Sequence, residues 1–164
     1  MKPVRVILAF LAAVVVTEVT GAVVQTQFVL ASLTDLGIEI SLTQRLAMTI
    51  HDIAGLVEIY LPVIAVGFII AFGIAALVVR WLLPGRAAIG YPLAGLTAVV
   101  AAIVIMTLMF DVSPIAGARS TPGLIGQALA GALGGWIFYR LTRFTQLRPL
   151  PEDAPGPLRQ SPAP

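Results

Sequence analysis

Cysteine is absent from the 164 residues, and the chain has one histidine, His51. Disulfides, thiolate metal sites and cysteine nucleophiles are therefore excluded, and no second imidazole exists to complete a helical zinc pair. Charge is scarce too. Asp, Glu, Lys and Arg make up 11% of the chain, where a soluble domain carries about 25%. The net charge of +2 comes with no basic face interleaved with aromatics, which argues against a nucleic-acid partner. P-loop, nucleophile-elbow, haem and dinucleotide fingerprints are all missing. Neither an enzyme nor a bound cofactor is expected, and no metal site.

What the chain has is apolar sequence: 59% hydrophobic residues and a mean hydropathy of +0.99. The few charges fall in clusters. Between Glu58 and Arg80 lie 21 uncharged residues, between Arg86 and Asp111 lie 24, and between Arg119 and Arg140 lie 20. A membrane-spanning helix needs roughly 20 mostly apolar residues, so each run fits one crossing. A fourth run, 29 residues between Arg5 and Asp35, contains a single charge, Glu18. The runs are apolar on both faces and do not alternate as barrel strands would. The expected fold is all-α: an integral membrane four-helix bundle with spans near 4–31, 58–82, 88–110 and 121–142. An amphipathic helix is expected at 41–55 in the first external loop. Residues 1–144 then form a transmembrane domain, and the proline-rich segment 145–164 a disordered cytoplasmic tail.

Eight of the ten basic residues, Lys2, Arg5, Arg80, Arg86, Arg140, Arg143, Arg148 and Arg159, fall on one side of such a bundle. The positive-inside rule makes that side cytoplasmic and puts both termini there, in a cell inner membrane. Trp81, Tyr91, Trp136 and Tyr139 lie at the same ends, where amphipathic rings favour the interface. Lys2 to Arg5 followed by Val6–Val16 also has the form of a signal peptide, with Val19-Thr20-Gly21 as its cleavage site. The apolar character continues past the usual h-region, so a retained first span is expected.

In the first external loop, Ser41 and Gln44 have the spacing of a capping box. Leu42, Leu46, Ile50, Ile53 and Val57 then share one helical arc, and Gln44, Arg45, Met48, His51, Asp52 and Glu58 fall on the other side. This helix is expected to lie on the outer membrane surface or to lead into the second span, with a bend at Gly55. Thr121 and Pro122 read as cap and first residue of the fourth span. Pro62, just inside the second span, removes one backbone donor and predicts a modest kink. Small residues recur at four-residue spacing: Gly67, Ala71 and Ala75; Ala94, Ala98 and Ala102; Gly123, Gly131 and Gly135, with Gly126, Ala130 and Gly134 on a neighbouring ridge. Such stripes let helices approach closely in lipid. The Gly131/Gly135 pair is read as closing the monomer, with a homodimer seam as the alternative.

Glu18 is the residue most able to carry chemistry. A carboxylate well inside a span costs a few kcal/mol on insertion scales, so it is expected to face protein or a cavity as the neutral acid. Thr17, Gly21, Gln25 and Ser32 share its side of the helix, and Gln127 lies at a compatible depth in the fourth span. Glu18, Gln25 and Gln127 are therefore expected to form a buried polar cluster. It serves either proton or cation binding or, as a hydrogen-bonded carboxyl, the fixing of helix register. A second polar set, Arg45, His51, Asp52, Glu58 and Arg119, is expected on the external side, with Asp111 and Arg119 paired across the second loop.

The segment Thr17-Glu18-Val19-Thr20-Gly21 resembles the first-helix glutamate motif of the small multidrug resistance transporters. The resemblance implies proton and cationic-drug binding at Glu18, the one residue it carries over. The chain departs from that family in its long first loop, its proline-rich tail and the lack of a tryptophan in the third span. The stretches Gln25-Thr26-Gln27-Phe28, Ser113–Arg119 and Ala130–Trp136 resemble small uncharacterised bacterial four-span inner-membrane proteins, which implies an architecture and no activity. The function expected is that of a multi-pass protein, structural or accessory to a membrane complex. Its partners would be the lipid bilayer and either a second copy or another membrane protein. A small proton-linked transporter using Glu18 is the alternative.

Overall fold

The computed structural model describes residues 3–110 and 116–143. They form four α-helices, α1 (Pro3–Asp35), α2 (Leu42–Trp81), α3 (Ala87–Phe110) and α4 (Thr121–Arg143), with a 3-10 helix, Ala116–Arg119, leading into α4. No strand occurs among the described residues. The helices pack in a ring, α1 on α2, α2 on α3, α3 on α4 and α4 on α1. Each neighbouring pair is antiparallel. Along α1, for example, Phe10 meets Phe72 near the end of α2, while Thr26 meets Asp52 near its start.

Local chemistry sets the helix ends. α1 stops where Gly37 takes φ +83°, and its amide donates to the Thr34 carbonyl while Ile38 N–H reaches the Leu33 carbonyl. This hydrogen-bonded exit uses a left-handed residue that glycine adopts without strain. Ser41 then caps α2, accepting from Gln44 N–H while the Gln44 side chain accepts from Ser41 N–H. The expected surface helix and second span are one unbroken helix of 40 residues. It runs through both Gly55 and Pro62, so Gly55 ends nothing. α4 is capped one residue earlier than expected: Ser120 Oγ accepts from Gly123 N–H, and Thr121 and Pro122 lie within the first turn.

At 1.5 Å per residue, α2 is about 60 Å long and α1 about 50 Å, while α3 and α4 are near 35 Å. A hydrocarbon core is about 30 Å thick. The far end of α1 and the start of α2 therefore form an antiparallel hairpin extending past α3 and α4.

Large apolar side chains cover the outside. Val4, Leu8, Leu11, Val15, Val19 and Val23 form one exposed stripe of α1; Val66, Ile70, Ile74 and Leu77 are exposed on α2, and Ile105, Leu108 and Met109 on α3. Faces this large and this apolar are suited to lipid. Three helices are long and apolar enough to cross a membrane: Pro3–Asp35, Tyr60–Trp81 and Ala87–Met109. α4 is not among them, because its glycines, Gln127 and Arg140 lower its mean hydropathy.

Those glycines are divided between two neighbours. A Cβ on Gly131 would strike the Gly95 carbonyl, one on Gly95 the Gly131 carbonyl, and one on Gly135 the Tyr91 carbonyl of α3. On the adjoining ridge a Cβ on Gly134 would strike Thr17 Oγ1, and one on Gly126 would lie 2.6 Å from Val24 of α1. The GxxxG pair thus packs within the monomer. The contact face of α3 toward α4 is Tyr91, Gly95 and Val99, one ridge over from the expected Ala94/Ala98/Ala102 stripe. Ala98 instead faces Gly67 of α2 at ordinary contact distance.

Replacing Gly131 or Gly95 by leucine is expected to force α3 and α4 apart, with a loss of at least about 1–3 kcal/mol from overpacking. Gly55 sits in an exposed helix interior, and a Cβ there would have nothing within 4 Å. Gly55→Ala should therefore raise stability by about 0.5–1 kcal/mol. Thermal unfolding of the purified variants in one detergent measures both. A loss of stability in Gly55→Ala would contradict the continuous α2.

Candidate buried polar site

Glu18 lies at the middle of α1 and is 1% exposed. Antiparallel packing brings two other polar side chains to its level. Gln127, in the second turn of α4, is also 1% exposed, and its Nε2 donates to the Gly21 carbonyl across the α1–α4 seam at 2.9 Å. Tyr60 of α2 is 3% exposed. Gly21, one turn beyond Glu18, is the seat on which both rest. A Cβ there would lie 2.9 Å from Gln127 Oε1 and 3.7 Å from the Tyr60 ring. On the other side of Glu18, the Thr17 hydroxyl donates to the Ala130 carbonyl at 3.5 Å.

The expected cluster therefore forms only in part. The structure brings Glu18 and Gln127 to one level and sets Gln25 a further turn outward, where Gly117 packs on its backbone. It adds Tyr60. The aromatic preference for interfaces points to the outer boundary for Tyr60, whereas α2 starts at Leu42 and passes Tyr60 unbroken. No hydrogen bond closes the set. Both Glu18 carboxyl oxygens, Gln127 Oε1, Gln25 Oε1 and the Tyr60 hydroxyl are buried without a hydrogen-bond partner. Four of these five atoms are carboxyl or amide oxygens, and an amide oxygen or ionised carboxylate can only accept. Tyr60 also belongs to the apolar core, clustered with Ile64, Val99 and Ile103. Such a site is chemically suited to a proton, a donor or a small cation.

The external set does not converge. Arg45 donates to Gln27 Oε1 at 2.7 Å, and Asp52 accepts from the Thr26 hydroxyl at 2.7 Å, so both turn toward α1. His51 and Glu58 are exposed on α2, and Arg119 is exposed at the end of the 3-10 helix. Asp111 lies outside the described residues, and with it the expected pairing to Arg119. The apolar arc of this hairpin is correspondingly open: Leu42, Leu46 and Ile50 are 72%, 57% and 68% exposed. Of the polar arc, Arg45 and Asp52 turn to α1, which offers them Gln27 and Thr26, while Gln44, Met48, His51 and Glu58 are exposed. Among the described residues, no three His, Asp or Glu side chains converge as metal ligands.

No protein family, curated protein or solved structure matches the chain.

A hydrogen bond to a charged acceptor contributes about 1.5–3 kcal/mol, and partial exposure places Thr26–Asp52 at the lower end. A double-mutant cycle of Thr26→Val and Asp52→Asn should return a coupling of about 1 kcal/mol. Strict additivity would show that the pair does not fasten α2 to α1.

Proposed function

We propose that this chain is a small non-enzymatic multi-pass protein of a bacterial inner membrane, working as a proton-linked transporter centred on Glu18. The observation that carries the proposal is the set of five buried, unpartnered polar atoms on α1, α2 and α4. Each unpaired buried group costs about 1–3 kcal/mol. A carboxyl kept only to fix helix register would be expected to spend its hydrogen bonds on neighbours, as Gln127 Nε2 does. Glu18 instead presents both oxygens to a site where a proton or small cation would relieve the cost. An intramembrane ionisable residue with partners of this kind is typical of a proton relay.

The proposal takes α4 as a fourth crossing. Ile125, Leu129, Leu133 and Trp136 make an exposed stripe along its outer face. The Arg140 guanidinium lies 5.2 Å from the Trp136 ring centre, an arrangement suited to the interface. With α4 crossing, eight of the ten basic residues fall on the side of both termini, which the positive-inside rule makes cytoplasmic. The second reading, a structural or accessory subunit, is favoured by one observation: on the side of the termini, Phe68, 0% exposed, lies beside the Gly134–Thr17 contact next to Glu18.

The two readings differ in whether protons reach Glu18. In infrared difference spectra of the protein in lipid, a carboxyl C=O band should titrate with pH, shift on exchange into D2O, and vanish in Glu18→Gln. Proton flux into liposomes carrying the wild type should likewise be lost in Glu18→Gln. A Glu18 band that neither titrates nor exchanges would sink the transporter and leave the structural role.

A further inference from the structure

A cavity of about 710 Å³ lies at the opposite end from the hairpin, where α1 and α3 begin and α2 and α4 end. Its wall is aromatic. Phe72 stacks on Phe138 with ring centres 4.6 Å apart, and Phe68, Tyr91 and Phe10 meet Phe72 at 4.6, 5.8 and 6.5 Å. At its rim are Thr142 and Arg143, whose guanidinium donates to the Tyr139 hydroxyl and lies over that ring. Among the described residues every charge at this end is basic: Arg5, Arg80, Arg86, Arg140 and Arg143. The acids Asp35, Glu39, Asp52 and Glu58 are all toward the other end, and Glu18, 1% exposed, does not line the cavity. Ligand pockets are commonly about 300–1,000 Å³, apolar, with a few polar groups fixing orientation.

We propose that this cavity binds an amphiphilic anion, its apolar body against the Phe72/Phe138 stack and its carboxylate or phosphate at Arg143. One guanidinium donor is held by Tyr139, which fixes the group at the rim and leaves its other N–H donors for a two-oxygen acceptor. Among the described residues at this end, a cationic head would meet only like charge. The site does not involve Glu18 and stands or falls without the transporter.

The test uses the full chain in zwitterionic lipid nanodiscs and dodecanoate carrying a terminal diazirine. After illumination, label should concentrate on the peptides around Phe72–Ala76 and Phe138–Thr142. Unlabelled dodecanoate should displace it, and dodecyltrimethylammonium should not. Competition by 2-naphthoate in place of dodecanoate would assign the same anion site to a water-borne ligand. Gly73→Leu fills the cavity from a position with nothing within 4 Å, and should cut labelling several-fold. Ala76→Leu serves the same end if the first variant folds poorly. Arg143→Gln should weaken labelling and remove the preference for anions, while Glu18→Gln leaves both unchanged. Label spread evenly over Val66, Ile70 and Val104, or equal displacement by the cationic amphiphile, would overturn the proposal.

Discussion

The bundle rests on backbones in direct contact. Gly95 and Gly131 face each other across α3 and α4 so tightly that neither could carry a side chain without entering the other's carbonyl. In lipid, apolar surface gives helices no reason to associate, and packing and hydrogen bonds must do so instead. α4 meets that condition on two sides at once. Its Gly131/Gly135 ridge lies on α3, and its Gly126/Ala130/Gly134 ridge lies on α1. That double seat fixes the position of Gln127, which stands one turn before Gly131 on the same ridge and reaches the Gly21 carbonyl of α1. Without the glycines, α4 would stand off from α1, and the polar level around Glu18 would open.

The same packing explains why the polar centre is under-bonded. Close backbone contact leaves little freedom for side chains to turn toward one another, and the core cluster that Tyr60 shares with Ile64, Val99 and Ile103 offers no other side-chain donor. Gln127 spends its amide donor on α1 and keeps its carbonyl oxygen free of any partner. Tyr60 brings the one hydroxyl in the set. A register-fixing carboxyl would be the most saturated group in its layer, whereas both Glu18 oxygens are without a hydrogen-bond partner. That contrast is the physical basis for reading the layer as a binding centre.

Much of this was legible in the chain. Charge spacing alone separates the apolar runs, and the runs at Glu58–Arg80 and Arg86–Asp111 match helices α2 and α3 that can cross a membrane. Gly131/Gly135 was visible as a packing pair, and Ser41/Gln44 as a cap. Other features were hidden for identifiable reasons. Periodicity divides residues 42–57 into two faces but does not say which residues meet α1; Thr26 and Gln27 decide that by drawing Asp52 and Arg45 to α1. Gly95 sits one residue from an equally regular alanine stripe, and only the partner helix distinguishes the two. Tyr60 follows Glu58 and so resembles an interfacial ring, because the length of α2 beyond it depends on tertiary support from α1.

Phe68 divides the interior into two chemically opposite halves. On one side, among the described residues, lies an acceptor-rich layer with a single acid and no basic group; on the other lies an aromatic chamber with only arginines at its rim. A shared pathway through the bundle would have to carry a species attracted first by positive charge and then by negative oxygen, and one small ion does not satisfy both. The two halves are therefore better suited to different ligands, a proton or cation at Glu18 and an anion at Arg143. Coupling between them would need Phe68 or its stacked neighbours to take different positions with the chamber full and empty. The ring of Phe68 shares a wall with both, meeting Phe72 at 4.6 Å on one face and lying against the Gly134–Thr17 contact on the other. Among the described residues it is the side chain best placed to transmit occupancy of the chamber to the polar layer.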